Sequence, residues 1–103
     1  MRRGEVRWYQ FKAPDKKRPV VVLTRDSILE YLGEVTVAPI TRTIRNIPSE
    51  VYLSTQDGMQ QDCAANFDHI QTVSGTKIGS LITTLSKDKL QEVNEAIHFA
   101  LNL

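Results

Sequence analysis

Long apolar runs are missing from this chain of 103 residues. None approaches the ~18 residues that a membrane-spanning helix needs, which excludes an integral helical membrane protein. Cysteine is almost absent: Cys63 stands alone, so no intrachain disulfide can form. Histidine is scarce as well, with only His69 and His98. No Cys/His cluster has metal-ligand spacing, so neither a metal nor another cofactor is expected. A glycine-rich phosphate loop, a G-x-S-x-G elbow and an H-E-x-x-H pair are all missing. No apolar signal-peptide segment follows Met1-Arg2-Arg3-Gly4-Glu5, which points to the cytoplasm.

What is present describes an ordinary globular protein. Apolar residues make up 41% and charged residues 24%, too balanced for disorder. With no repeat and no linker, the expected organisation is one domain over residues 1–103. The net charge of +1 hides an asymmetry. Residues 1–25 hold eight bases (Arg2, Arg3, Arg7, Lys12, Lys16, Lys17, Arg18 and Arg25) against Glu5 and Asp15, a net +6. The remainder is −5. A basic segment attracts phosphate, although clustered lysines are also ordinary surface.

The pattern is mostly β. Strands are expected over Glu5–Tyr9, Pro19–Leu23, Val35–Ile40, Glu50–Leu53, Cys63–Ala65, His69–Val73 and Ser80–Thr84. The Pro19–Leu23 run is continuously apolar, as in a strand buried on both faces. Residues 11–17 and 41–48 read as exposed loops, and Gln56-Asp57-Gly58-Met59 as a turn. Asp26 or Ser27 is expected to cap a helical turn over residues 28–32, stopped by Gly33. After Ser86 the period changes: Leu90, Val93, Ile97 and Leu101 fall on one helical face, flanked by Ala96 and Ala100. Short strands closed by one helix suggest a small barrel.

Two places invite chemistry. Arg18-Pro19 stands where a basic loop enters a buried strand, and a rigidly held guanidinium can present two donors to one phosphate. Pro39-Ile40-Thr41-Arg42-Thr43 stands where a strand runs into a polar loop, so Thr41 puts a hydroxyl at the sheet edge. That hydroxyl, or Thr43's, can equally cap a turn. Asp62 could pair with a basic loop or a partner. His69 and His98 read first as structural or surface residues.

Taken in order, Arg3-Gly4-Glu5-Val6, Lys17-Arg18-Pro19-Val20-Val21-Val22-Leu23-Thr24, Val35-Thr36-Val37-Ala38-Pro39-Ile40-Thr41, Pro48-Ser49-Glu50-Val51-Tyr52-Leu53 and Asp68-His69-Ile70-Gln71-Thr72-Val73 resemble the MazF/PemK (Kid-type) toxins of bacterial toxin–antitoxin modules. The resemblance implies a mainly β fold with a C-terminal helix, a small SH3-like barrel of the CcdB/Kid/PemK kind. It implies a homodimer, a cognate antitoxin, and metal-independent, sequence-selective cleavage of single-stranded RNA to 2′,3′-cyclic phosphate and 5′-hydroxyl ends. The family's catalytic arginine falls on Arg18 and its catalytic hydroxyl on Thr41. Lys16, Lys17, Arg42 and Thr43 are then candidate RNA contacts. Tyr9 and Phe11, with Trp8, either stack on unpaired bases or pack the core and rim. The chain departs from the family in its short first loop, which lacks a G-S-E-x motif and leaves Asp15 as the weak carboxylate candidate. His69 replaces a glutamine common in the family. DNA contact without the antitoxin is not expected. The alternative is a CcdB-like topoisomerase poison without nuclease activity.

Overall fold

A computed structural model of the protein describes residues 1–11 and 17–103. Seven strands are seen among them: β1 (Glu5–Gln10), β2 (Lys17–Val22), β3 (Glu34–Thr41), β4 (Glu50–Leu53), β5 (Cys63–Asn66), β6 (Gln71–Ser74) and β7 (Ile78–Thr84). A short helix, α1 (Asp26–Leu29), follows β2, and a long one, α2 (Lys87–Leu101), closes the chain. The strands run in the order β4-β5-β3-β2-β1-β7, with β6 also on β3, and every pairing is antiparallel. The sheet curls into a half-barrel with the helix at its C-terminal end. None of the described helices is long and apolar enough to cross a membrane.

Side-chain alternation builds two cores on the two faces of the sheet. Val6, Val21, Ala38 and Ile40 point to one face, where Leu53, Phe67, Val93 and Ala96 join them. Tyr9, Val20, Val22, Val35 and Val37 point to the other, with Val73. Strand β2 is therefore buried on both faces, as its unbroken β-branched run predicts.

Helix α2 seals the first core. Its N-terminus is capped by Ser86, whose hydroxyl accepts the Lys89 N–H at 3.2 Å. Asn102 ends it in the left-handed region at φ 56°. Val93 and Ala96 are buried, while Leu90, Ile97 and Ala100 pack beside them. Leu101, expected on this face, is 55% exposed. At ~100° per residue it lies roughly a right angle from the centre of the buried face.

Two local expectations are corrected. His69 is not in a strand: Phe67–His69 forms a 3-10 turn, with Phe67 buried as its anchor and the Asn66 side chain accepting the Asp68 N–H at 2.9 Å. Neither Asp26 nor Ser27 caps α1. Arg25 holds the N-cap position without a side-chain bond, and the Asp26 carboxylate accepts the Arg3 N–H instead. The helix also ends at Leu29, before Gly33 could stop it.

The pairing along β3 shapes the site. One edge pairs with β2 from Val37 to Pro39. The other pairs with β6 from Glu34 to Val37 and then with β5 at Ile40 and Thr41. Pro39 has no N–H to extend a ladder, and the β2 pairing ends there. Beyond it, the start of β2 and the end of β3 both line a cleft.

Candidate active site

The cleft has a volume of about 910 Å³. Arg18 and Lys17, at the start of β2, and Thr41, at the end of β3, all line it. In the β2–β3 ladder Val20 faces Pro39. Arg18 lies two residues before Val20 and Thr41 two after Pro39, so both stand just past the end of that ladder. Arg42 and Thr43 continue the rim into the following loop. Lys17, Arg18, Arg42 and Thr43 are exposed, and Thr41 is half-buried. Three cations thus meet at one opening, and no Asp or Glu is among its described lining residues. That is a site for an anion.

Thr41 does take part in a local turn, because its Oγ1 accepts the Thr43 N–H at 3.1 Å. With that lone pair engaged, the hydroxyl proton is left for an acceptor in the cleft. The loop beyond is stapled to β4. The Arg45 N–H donates to the Glu50 carboxylate at 2.9 Å, and the Arg45 guanidinium reaches the same carboxylate at 3.5 Å.

The aromatic candidates separate by face. Trp8 lines the cleft and is half-buried. Tyr9 points the other way, is 8% exposed, and belongs to the second core. Phe11 packs against that core and meets the Tyr9 ring edge-on at 4.6 Å. Neither Tyr9 nor Phe11 is among the described lining of the cleft; of the two readings open to them, their contacts are those of packing. The expected RNA contact Lys16 and the carboxylate Asp15 lie outside the described residues.

The remaining wall comes from residues that motif reasoning passed over: Gly58, Met59, Gln60 and Gln61 after β4, and Leu81 and Ile82 on β7. Trp8 pairs with Pro19, which also lines the cleft, while Tyr9 pairs with Arg18, so the cleft draws on both faces of the sheet at this end. The Asp57-Gly58 turn was visible in the sequence, but not its place beside Arg18.

Other titratable groups stay out of the cleft chemistry. Cys63 lines the cleft, yet burial, helped by the charges of Asp62 and Asp57, pushes its thiol up. It remains protonated at neutral pH and is no nucleophile. Neither His69 nor His98 lines the cleft, and the His98 ring bonds the Asn94 carbonyl at 2.7 Å. The Asp62 carboxylate, with smaller contributions from burial and from Asp57, pushes the Tyr52 phenol up, and Asp62 does not line the cleft. No group of three His, Cys, Asp or Glu that could hold a metal gathers among the described residues.

Residues 2–101 match the family model described as PemK-like, MazF-like toxin of type II toxin-antitoxin system. The probable endoribonuclease MazF2 of Mycobacterium tuberculosis is 40% identical over 98 residues, 94% of each chain. Among solved structures, the Mycobacterium tuberculosis toxin MazF-mt6 superposes with a TM-score of 0.88 at 34% identity, covering 96% of this chain and 97% of that one. An endoribonuclease in complex with its cognate antitoxin, from a mycobacterial species, shares the fold with a TM-score of 0.88 at 21% identity, covering 100% of this chain and 96% of that one. The chain belongs to the PemK-like, MazF-like toxins of type II toxin–antitoxin systems.

Proposed function

We propose that this MazF-type endoribonuclease toxin cuts single-stranded RNA at selected sequences, using the RNA's own 2′-hydroxyl as nucleophile. The oxygen attacks the adjacent phosphorus and loses its proton. The 5′ oxygen of the next nucleotide leaves and takes a proton up. The products are a 2′,3′-cyclic phosphate and a 5′-hydroxyl. The nucleophile is already tethered to its target, so correct placement supplies much of the acceleration. The protein's task is to hold the phosphate and to stabilise the charge that builds on its oxygens.

Arg18 fits that task as a fixed cation with two parallel donors. Its high pKa suits it to charge stabilisation more than to proton donation. Thr41 donates its free hydroxyl proton to a non-bridging oxygen. Lys17, Arg42 and Thr43 bind neighbouring phosphates, with Lys16 as a further candidate. Trp8 offers an indole face to an unpaired base, a contact worth ~1–3 kcal/mol. The reading rests on one observation: Arg18 and Thr41 line a single cleft without acidic lining among the described residues, and Trp8 lies beside them.

The partners follow from the same charge. The natural inhibitor is a cognate antitoxin whose acidic segment occupies the basic cleft in place of RNA. The toxin itself acts as a homodimer with two-fold symmetry. The cleavage chemistry is tested with two RNA oligonucleotides in excess EDTA, one of them carrying 2′-deoxyribose at the cut position. The ribose substrate should yield cyclic phosphate and 5′-hydroxyl ends, and the deoxy substrate should stay intact. Cleavage of both at equal rates would overturn the mechanism. Intact RNA with arrested gyrase would restore the topoisomerase-poison reading.

A further inference from the structure

The cleft has two unlike sides. The side built by the start of β2 and the end of β3 carries Lys17, Arg18, Arg42 and two threonine hydroxyls. The side built by β1, β7 and the bend after β4 carries no charge: Trp8, Met59, Gln60, Gln61, Leu81 and Ile82. An RNA strand has the same division, with charged phosphates along one side and flat, polar-edged bases on the other. We propose that Gln60 and Gln61 are specificity-determining residues that read the hydrogen-bonding edge of a base resting on Trp8 and Leu81. This rests on the RNA-cleaving reading above and adds the element that chooses the sequence.

Three observations support it. First, both amides are exposed at the cleft and make no side-chain hydrogen bond among the described residues. An amide carries a donor and an acceptor at fixed spacing, as base recognition needs and phosphate binding does not. Second, Leu81 lines the cleft and is 49% exposed, so about half of its surface is open to a ligand there.

Third, the turn that leads into the two glutamines is held by several contacts. Ser54 and Asp57 cap its 3-10 turn reciprocally, and the Met59 N–H bonds the Ser54 carbonyl at 3.2 Å. Gly58 has φ 96° and lies so close to Thr83 that an added Cβ would be 2.3 Å from its hydroxyl. That hydroxyl donates to the Asp57 carbonyl at 2.9 Å. Buried Met59 and buried Cys63 anchor the two sides of the glutamine pair. A reader fixed this firmly can discriminate between bases, where a mobile loop tip could not.

The test maps every cut that the protein makes in a mixed transcript pool under EDTA. Wild type is compared with Gln60→Ala/Gln61→Ala, with Gln60→Glu and Gln61→Glu, and with Lys17→Ala. The readout is the ratio of cutting between sequences. In the double alanine variant the discrimination at one base position should fall by about 5- to 150-fold. A glutamate keeps the shape but only accepts, so one of the two glutamate variants should shift preference toward bases presenting an exocyclic amine (adenine, cytosine or guanine) and away from uracil. Lys17→Ala should slow all sites alike and keep the ratios. Unchanged ratios in the glutamine variants, with or without a uniform loss of rate, would overturn the proposal. An uncut pool with wild type would instead overturn the RNA-cleaving reading beneath it.

Discussion

Trp8 and Tyr9 are adjacent in sequence and aromatic, yet the fold gives them opposite surroundings. Trp8 alternates onto the same face as Val6 and borders a cleft whose other side carries three cations. Tyr9 is sealed among five valines, with Phe11 against its ring. The difference is one step of a period-2 alternation. It shows that an aromatic residue beside a basic loop is not thereby a nucleic-acid contact; whether its ring borders the cleft or is packed into a core decides.

The sharpest way to break this contrast is to remove the groups on the cleft side. Arg18→Ala and Thr41→Ala should each slow cleavage by about a hundred- to a thousand-fold, the cost of losing one oriented donor to a charged transition state. Their thermal melting should stay close to wild type, because neither side chain is in a core. Unaltered cleavage by both would move the chemistry elsewhere.

The aromatic pair comes next. Trp8→Ala should weaken RNA binding by about 5- to 150-fold, read as a rise in KM. Tyr9→Leu should do the converse, lowering stability by about 1–3 kcal/mol in denaturant titration while the folded protein binds RNA normally. Exchanged outcomes would reverse the assignment of the two faces.

Gly58→Ala should cost about 1–3 kcal/mol, since only glycine is at ease at φ 96°. The added methyl would also press on Thr83. A melting curve identical to wild type would show that the bend is not tied to β7 as described.

The smallest effect concerns Glu5, at the start of β1. Burial alone would raise its carboxyl. The Arg7 hydrogen bond at 2.8 Å, the Arg2 N–H and the nearby positive charges outweigh this, and its pKa falls below the ordinary 4.5. A depressed pKa stabilises the folded state above the unfolded value, and that stability is lost as pH falls through the folded one. Glu5→Gln should therefore cost up to about 1 kcal/mol near pH 7, and the difference should shrink as pH falls below 4.5 and through the folded-state pKa. A pH-independent difference would exclude the ion pair as its source.

Much of this was legible in the chain. The β-branched run Val20-Val21-Val22 and the stripe Leu90, Val93, Ile97 name their own elements, because burial on two faces and burial on one helical face leave different patterns. Arg18 and Thr41 were legible as residues at strand ends. Their meeting was not, since it depends on the β2–β3 register and on where Pro39 ends the pairing. The amide wall was hidden for a similar reason. Gln60 and Gln61 belong to no motif, and only the packing of Gly58 on Thr83 brings them to the cleft. His69 was misread because a capping asparagine at Asn66 and a buried Phe67 turned an apparent strand into a tight turn.

The central claim is that Arg18 and Thr41 act together on one phosphodiester. A double-mutant cycle on single-turnover cleavage, with wild type, Arg18→Ala, Thr41→Ala and the double variant in EDTA, measures this directly. Two groups on one transition state lose their effect together, so the double variant should be only slightly slower than the slower single. Two penalties that multiply in full would contradict the account, because they would place the guanidinium and the hydroxyl on separate tasks.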